Sequence, residues 1–462
     1  MLALRAEEIA ALCGGRLDHA DPTTLVDGSV VVDSRQAGPG SVFVALPGEH
    51  DDGHAFVGDA IRRGAALALV DRAVGEPTVV VDDVERALGY LAGGVLRRAP
   101  AVRVCGVTGS SGKTSTKDLI ADVLGRHGPT VAARGSFNNE IGLPLTVLSL
   151  TSDTESLVLE YSARGVGHIA YLCGIARPRI AVVLNVGSAH LGEFGSREAI
   201  ATAKGELVEA LPADGVAVLN RDDPLVAAMA SRTAARVVTF GEADGADVRV
   251  ADLVIDDEAR PRFRLVTPYG EAELSLRLHG RHQASNAAAA AVVGLESGMS
   301  LPAVVEALAA ATPRSAHRMA ISHRADGLLV VDDAYNANPE SMRAALEALA
   351  RLGDRRDGAT WAVLGEMREL GEDVLDLHRA TGRTAAELGV DHLVVIGDVA
   401  AAIGEGARAV DGWRGDCTIV ATNEEAARLA GTAGARDVVL VKASNAAQLW
   451  QVAERVVEGL PS

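Results

Sequence analysis

The stretch Cys105-Gly-Val-Thr-Gly-Ser-Ser-Gly-Lys-Thr-Ser-Thr-Lys-Asp118 limits the folds open to this chain more than any other. Val102, Val104 and Val107 read as a buried strand, and a glycine-rich turn follows. Residues 114–127 then read as a helix with Leu119, Ile120, Val123 and Leu124 on one face. Strand, loop and helix in that order make an anion cradle. Gly109 and Gly112 let backbone N–H groups turn inward, and the helix N-terminus adds partial positive charge. Lys113 is placed to meet terminal phosphates, and the hydroxyl of Thr114 or Ser115 to ligate Mg²⁺. The widespread form of such loops has a further glycine five residues before the second one, and here Val107 stands there. The bland alternative, a Gly/Ser turn before a helix, leaves this agreement of three elements unexplained. The chain is read as binding a nucleoside triphosphate through Thr108, Gly109, Ser110, Ser111, Gly112, Lys113, Thr114 and Ser115.

At 462 residues the chain has room for about three domains. Its 48% hydrophobic content, carried mainly by Ala, Val and Leu, supports full cores. A formal net charge of −18 with no Lys/Arg run argues against a nucleic-acid partner. Four well-separated cysteines without a C-x-x-C pair fit reduced thiols better than a zinc site. The first 17 residues lack the pattern of a signal peptide, and no apolar run is long enough for a membrane span. A cytoplasmic protein with no membrane contact is expected.

The expected fold class is α/β in three domains. Residues 1–98 form a small N-terminal α/β unit with strands near 30–33, 41–46 and 66–70 and helices near 6–12 and 56–64. Within it Ser34 and Arg35 precede a Gly/Pro turn, and an arginine there suits a bidentate anion contact or an exposed, satisfied turn equally well. An Ala/Arg/Pro linker is read at 96–101. Residues 99–313 form a central unit, a parallel sheet with a β-rich extension near 246–279, where Leu274, Leu276 and Leu278 alternate with polar residues. Residues 314–462 alternate strand (328–331, 361–364, 392–396, 438–442) with helix, which suggests a Rossmann-like parallel sheet.

Three residues of the central unit draw interest. Ser156–Glu160 reads as a strand that delivers Glu160 beside the phosphate loop, where hard cations want carboxylate oxygens. The strand over 180–185 leads to His190 at the same sheet edge, although a lone histidine is more often structural. Lys204 falls inside the apolar stripe Ile200, Ala203, Leu207, Leu211 of a helix capped by Ser196. A buried lysine there is costly unless paired, chemically altered or snorkelling to the surface. Weaker signals are His282 and Asn286, suited to a base, and the acceptor-rich loop from Asp332 to Asn338.

Taken together these stretches resemble the Mur ligase family of peptidoglycan synthesis, over nearly the whole chain. The most specific segments are Gly106-Val-Thr-Gly-Ser-Ser-Gly-Lys-Thr114, Ala189-His-Leu-Gly-Glu-Phe-Gly-Ser196 with Ala203-Lys-Gly-Glu206, and Asp332-Asp-Ala-Tyr-Asn-Ala-Asn-Pro-Glu-Ser-Met342. The shortened phosphate loop is that family's own form. The resemblance implies an N-terminal domain gripping a UDP substrate, a central ATPase and a C-terminal domain taking the incoming amine. It is greatest to the branch that joins D-alanyl-D-alanine to UDP-N-acetylmuramoyl-tripeptide with ATP and Mg²⁺. A sister ligase adding a single amino acid, or a folylpolyglutamate-synthase-like ligase, is the alternative.

By this resemblance Lys113, Glu160, His190 and Lys204 are catalytic, with Thr114, Glu160 and His190 around Mg²⁺ and Lys204 a candidate N6-carboxylysine. His282, Asn286, Arg318 and Asp333 join the ATP site. Ser34, Arg35, Asn138, Asn139, Tyr335, Asn336 and Asn338 serve the other substrates, and the chain is expected to work as a monomer. Two departures stand out: Lys442-Ala-Ser-Asn445 where Lys-Gly-Ser-Arg is usual, and Tyr161-Ser162 where Met-Gly is usual.

Overall fold

The computed structural model of the chain describes residues 1–48, 51–187 and 191–459. Three large sheets, beside a two-stranded pair, organise them, and one buried cluster runs from the first sheet onto a face of the second. The first has five strands in the order Arg16–Asp18, Thr78–Val80, Leu67–Val70, Val42–Val44, Val30–Val31, parallel except for the first pair. A helix over Val84–Arg97 begins at Asp83, whose side chain accepts from the Arg86 amide at 2.9 Å. It buries Val84, Ala87, Leu88, Leu91, Ala92 and Val95, one helical stripe. Gly89, Gly93 and Gly94 dilute that pattern, so the sequence alone suggests a linker from residue 96; the helix in fact continues through Arg97. These glycines admit close neighbours, since a Cβ on Gly94 would meet Leu12 and one on Gly89 would meet Ile175.

The second sheet has nine strands, and Arg103–Thr108 lies inside it between Ile180–Val183 and Ser156–Glu160, all parallel. Covered on both faces, these strands are apolar almost throughout. Val248–Ile255 still runs parallel to Arg236–Gly241, and from there the sheet turns antiparallel through Pro261–Thr267 and Gly270–Ser275, the expected β-rich extension. The helix Lys113–Gly125 packs against the alanine-rich helix His282–Glu296, where a Cβ on Gly294 would meet Val123.

The third sheet has six strands. Leu329–Asp332, Val438–Lys442, Thr360–Leu364, His392–Ile396 and Asp416–Val420 run parallel, and Ala320–His323 adds an antiparallel edge. Ala320–His323 and Asp416–Val420 are edge strands with much exposed surface, so neither carries the apolar run that marks the others.

The second and third sheets meet across residues 311–319. Arg314 pairs with Asp122, and the Ser315 hydroxyl donates to Asp118 Oδ2 at 2.7 Å. His317 and Met319, flanking Arg318, adopt left-handed φ values of 59° and 50°, a backbone state that costs non-glycine residues energy and is held here by tertiary contacts.

Candidate active site

The phosphate loop is braced from the neighbouring strand end. Asn185 Oδ1 accepts from the Ser111 amide at 2.9 Å, its carbonyl accepts from the Ser110 amide at 3.1 Å, and its Nδ2 donates to Ser111 O at 3.2 Å. Gly112 has φ +79°, and a Cβ there would lie 2.9 Å from Asn286 Oδ1, so only glycine fits. The helix starts at Lys113, and its first internal donor is the Thr116 amide. The amides before it are left for a ligand. Lys113 Nζ donates to Gly109 O at 2.8 Å. Burial lowers its amine from the usual lysine range; Glu160 opposes that shift and Arg318 adds to it.

Glu160 ends its strand beside this helix, 1% exposed. Its Oε2 accepts from the Thr114 hydroxyl at 2.9 Å and its Oε1 from Asn138 Nδ2 at 2.7 Å. Two neighbouring oxygens of an octahedral Mg²⁺ shell, with bonds of ~2.1 Å, lie about 2.9 Å apart. Thr114 and Glu160 therefore fit such a cation in both donor chemistry and spacing. Ser136 Oγ lies 3.0 Å from Thr114 Oγ1, and Arg318 Nη2 donates to both hydroxyls at 3.0 and 2.9 Å. The Ser136 segment is held from below by Lys117, whose Nζ donates to Ala133 O at 2.6 Å and Gly135 O at 3.1 Å.

Lys204 lies on the helix Arg197–Glu209, whose cap is Ser196, accepting from the Ala199 amide at 3.1 Å. The lysine is 3% exposed, so it does not snorkel. Among the described residues it makes no hydrogen bond or ion pair. Burial, with Lys113 adding, holds its amine well below the usual range, which favours the uncharged form. Glu206, two residues on, accepts from the Ala170 amide at 2.9 Å and caps the helix His168–Ile175.

The third sheet supplies the facing wall. Lys442, 2% exposed, donates to Asp333 Oδ2 at 2.6 Å and Asn336 O at 2.8 Å, while Asp333 Oδ1 accepts from the Met319 amide at 3.0 Å. The Arg318 guanidinium lies 4.2 Å from the centre of the Tyr335 ring, a cation–π contact. Asn338 caps the helix Pro339–Arg356. Between the two walls opens a cavity of about 550 Å³.

Of the residues picked out from sequence, Ser110 to Ser115, Asn138, Asn139, Glu160, His282, Asn286, Arg318, Asp333, Tyr335, Asn336 and Asn338 line this cavity. Thr108 does not; it is fully buried and its hydroxyl donates to Tyr161 O at 2.8 Å. Gly109 lies beneath the loop as the acceptor for Lys113. Ser34 and Arg35 sit in the first unit, outside the cavity. Ser34 Oγ donates to Asp59, and Arg35 forks onto Asp33 at 2.9 and 2.7 Å. That fork holds the Asp33 carboxyl down to about 2. His190 lies outside the described residues. The sequence reading missed Asn185, Ser136, Lys117 and the role of Lys442. Only Lys117 and Lys442 left a signal, each being a lysine at the edge of an apolar run.

The departure at Tyr161 has a local cause. Its hydroxyl donates to Ala176 O at 2.5 Å, and its ring fills the space over Gly106, where a Cβ would come within 2.7 Å of it.

Comparison with known proteins gives this architecture its class. Models described as the Mur ligase family catalytic domain, the Mur ligase middle domain, and the Mur ligase glutamate ligase domain match residues 28–94, 107–294 and 317–445. The chain belongs to the Mur ligase family. Within it, the chain is 45% identical to the UDP-N-acetylmuramoyl-tripeptide--D-alanyl-D-alanine ligase of Mycobacterium tuberculosis, over 99% of this chain and 98% of the relative. The Escherichia coli ligase of the same name is 36% identical, over 87% and 88%. Among solved structures, MurF from Acinetobacter baumannii superposes with a TM-score of 0.88 at 32% identity, covering 98% of this chain and 99% of its own. MurF ligase from Thermotoga maritima in complex with ADP gives 0.78 at 32% identity, over 93% and 96%.

Proposed function

We infer that the protein is the ATP-dependent ligase that joins D-alanyl-D-alanine to UDP-N-acetylmuramoyl-tripeptide in peptidoglycan synthesis, forming a C–N bond. The observation that carries this is the single cavity in which a phosphate loop, a carboxylate–hydroxyl pair and the loop Asp333–Asn338 face one another. We propose that residues 1–98 grip the UDP end, with Ser34 and Arg35 near the uridine, that 99–313 bind ATP, and that 314–462 take the dipeptide. Both walls of the cavity come from one chain, which supports a monomer as the working unit. ATP use and free thiols go with a cytoplasmic setting.

In the reaction, an oxygen of the tripeptide's terminal carboxylate attacks the γ-phosphorus of ATP, and ADP leaves. The amine of the dipeptide then attacks the resulting acyl phosphate carbonyl, loses a proton, and expels inorganic phosphate. Lys113 and the loop amides hold the phosphates, and Arg318 donates toward the transferring group across the seam. Thr114 and Glu160, with His190, would hold Mg²⁺, which supplies charge neutralisation between two anions brought together. His282 and Asn286 flank the base, and Asp333 the ribose. Asn138 and Asn139 face the tripeptide, and Tyr335, Asn336 and Asn338 the incoming amine.

Lys204 fits an N6-carboxylysine. A neutral amine adds CO₂ and releases one proton, so an uncompensated buried lysine becomes an anion next to Lys113. The test is phosphate release from ATP with purified protein, Mg²⁺ and the tripeptide, offering D-alanyl-D-alanine, D-alanine or a diamino acid in turn. Release that requires the dipeptide, with a pentapeptide product by mass, is the expected result. Turnover with a single amino acid instead would move the protein to a sister ligase.

A further inference from the structure

Arg318 crosses the seam between the second and third sheets to donate to the Thr114 and Ser136 hydroxyls. Those two hydroxyls steady its tip. Its Nε is buried without a hydrogen-bond partner among the described residues, so the aim of the guanidinium depends on the backbone that carries it. That backbone is strained on both sides. His317 and Met319 flank the arginine in the left-handed region, at φ 59° and 50°. Such a pair persists only where the surroundings over-determine it.

Asp332 and Asp333 take one flank each. Asp333 Oδ1 accepts from the Met319 amide at 3.0 Å. Asp332 Oδ2 lies 2.6 Å from His317 Nδ1, and its Oδ1 accepts from the Ala334 amide at 3.1 Å. With the carboxylate ionised, Nδ1 is the donor of that bond. The His317 carbonyl accepts from the Tyr335 amide at 3.1 Å, and the Tyr335 ring is the one beneath the guanidinium. The imidazole also stacks on Trp450, with centroids 5.3 Å and planes 28° apart, where the last helix, Trp450–Glu458, begins. Arg318, Met319, Asp333 and Tyr335 line the cavity, whereas His317, Asp332 and Trp450 do not.

We propose that His317 is a positioning residue for phosphoryl transfer: its bond to Asp332 and its stack on Trp450 hold the strained segment that aims Arg318 at the transferring group. The inference rests on the ligase reading above and extends it to a residue outside the cavity. Histidine suits the position on two counts. It enters the left-handed region several times more often than most residues, and its ring gives a donor to Asp332 and a face to Trp450 at once. Glycine would fit the backbone better and offer neither contact.

The test measures kcat, and KM for ATP and for the tripeptide, in wild type, His317→Gly, His317→Asn and Trp450→Leu, with D-alanyl-D-alanine saturating. His317→Gly relaxes the backbone and deletes both contacts. It should lower kcat by about 10-fold or more, the worth of one hydrogen bond to a charged group. Both KM values should stay within about 2-fold, because the lost interaction belongs to the transition state. His317→Asn tolerates the left-handed backbone and can donate to Asp332, so it should recover most of that loss. Trp450→Leu loses the stack alone and should lower kcat by about 3-fold. Wild-type kcat in His317→Gly would overturn the proposal, since the backbone alone would then aim Arg318. So would raised KM values at unchanged kcat, or an Asn variant no better than the Gly variant, which would leave the bond to Asp332 without a part in turnover. No turnover by wild type would instead defeat the ligase reading itself. Thermal unfolding of each variant, read alongside, separates lost aim from lost folding.

Discussion

Replacing Lys442 by Met removes one partner of an ion pair built into the core of the third sheet. The lysine is 2% exposed and donates to Asp333 and to the Asn336 carbonyl. Breaking a buried pair from one side costs ~3–5 kcal/mol, because the remaining charge stays in a poor solvent. The Asp333 side chain is 15% exposed and keeps the Met319 amide as a donor. The lower end, about 3 kcal/mol, is therefore expected. For domains of about 150–250 residues each kcal/mol is worth roughly 2–4 °C, so the unfolding transition of this unit should fall by roughly 6–12 °C. Calorimetry, which separates the transitions of the three units, is the assay. The double variant Lys442→Met with Asp333→Leu removes both charges and should regain more than half of the loss. A single-variant shift below about 2 °C, or a double variant less stable than the single, would refute the reasoning. The variant should also raise KM for ATP, since the same pair orients Asp333 and the Asn336 loop.

Other outcomes follow from the site. Lys113→Ala should lower ATP-dependent ligation by at least about 100-fold, and ligation that survives it would sink the phosphate role. Glu160→Gln should raise the Mg²⁺ concentration for half-maximal activity by about 10-fold or more, read from a metal titration at fixed ATP. Lys204 should gain the mass of one CO₂ in bicarbonate buffer, and Lys204→Arg should abolish both that gain and turnover. For the unmodified chain the sign is set by a depressed folded-state pKa: above the unfolded value near 10.5 Lys204 costs nothing. Stability then falls as pH drops from there toward the folded value. Removing CO₂ should therefore steepen the loss of stability below pH 10.5 relative to Lys204→Met. Gly106→Ala should cost ~1–3 kcal/mol by overpacking against Tyr161, measured by urea unfolding, and Tyr161→Leu in the same chain should recover part of it.

Much of this fold could be read before any coordinates, because its signals are local. The strand, loop and helix around Lys113 announce themselves by periodicity and glycine placement. Ser196 as a helix cap and Lys204 inside an apolar stripe are equally local. The helix Val84–Arg97 escaped because three glycines blur its stripe, and those glycines are there for close packing with Leu12 and Ile175. Arg35 illustrates a different limit. Its partner Asp33 is two residues away, yet nothing in the order of residues says whether an exposed arginine folds back or reaches for a ligand.

What the sequence determined by itself was the set of three α/β units, the phosphate loop, and the carboxylate at the end of the neighbouring strand. Each rests on spacing within one strand or one helix turn, where backbone geometry dictates which side chains share a face. The tertiary structure decided the partners. Asn185 braces a loop 74 residues away, Arg318 reaches Thr114 across 204, and Lys442 closes on Asp333 across 109. Hydrogen bonds and ion pairs of that kind depend on how sheets pack across a seam, and no local periodicity encodes that.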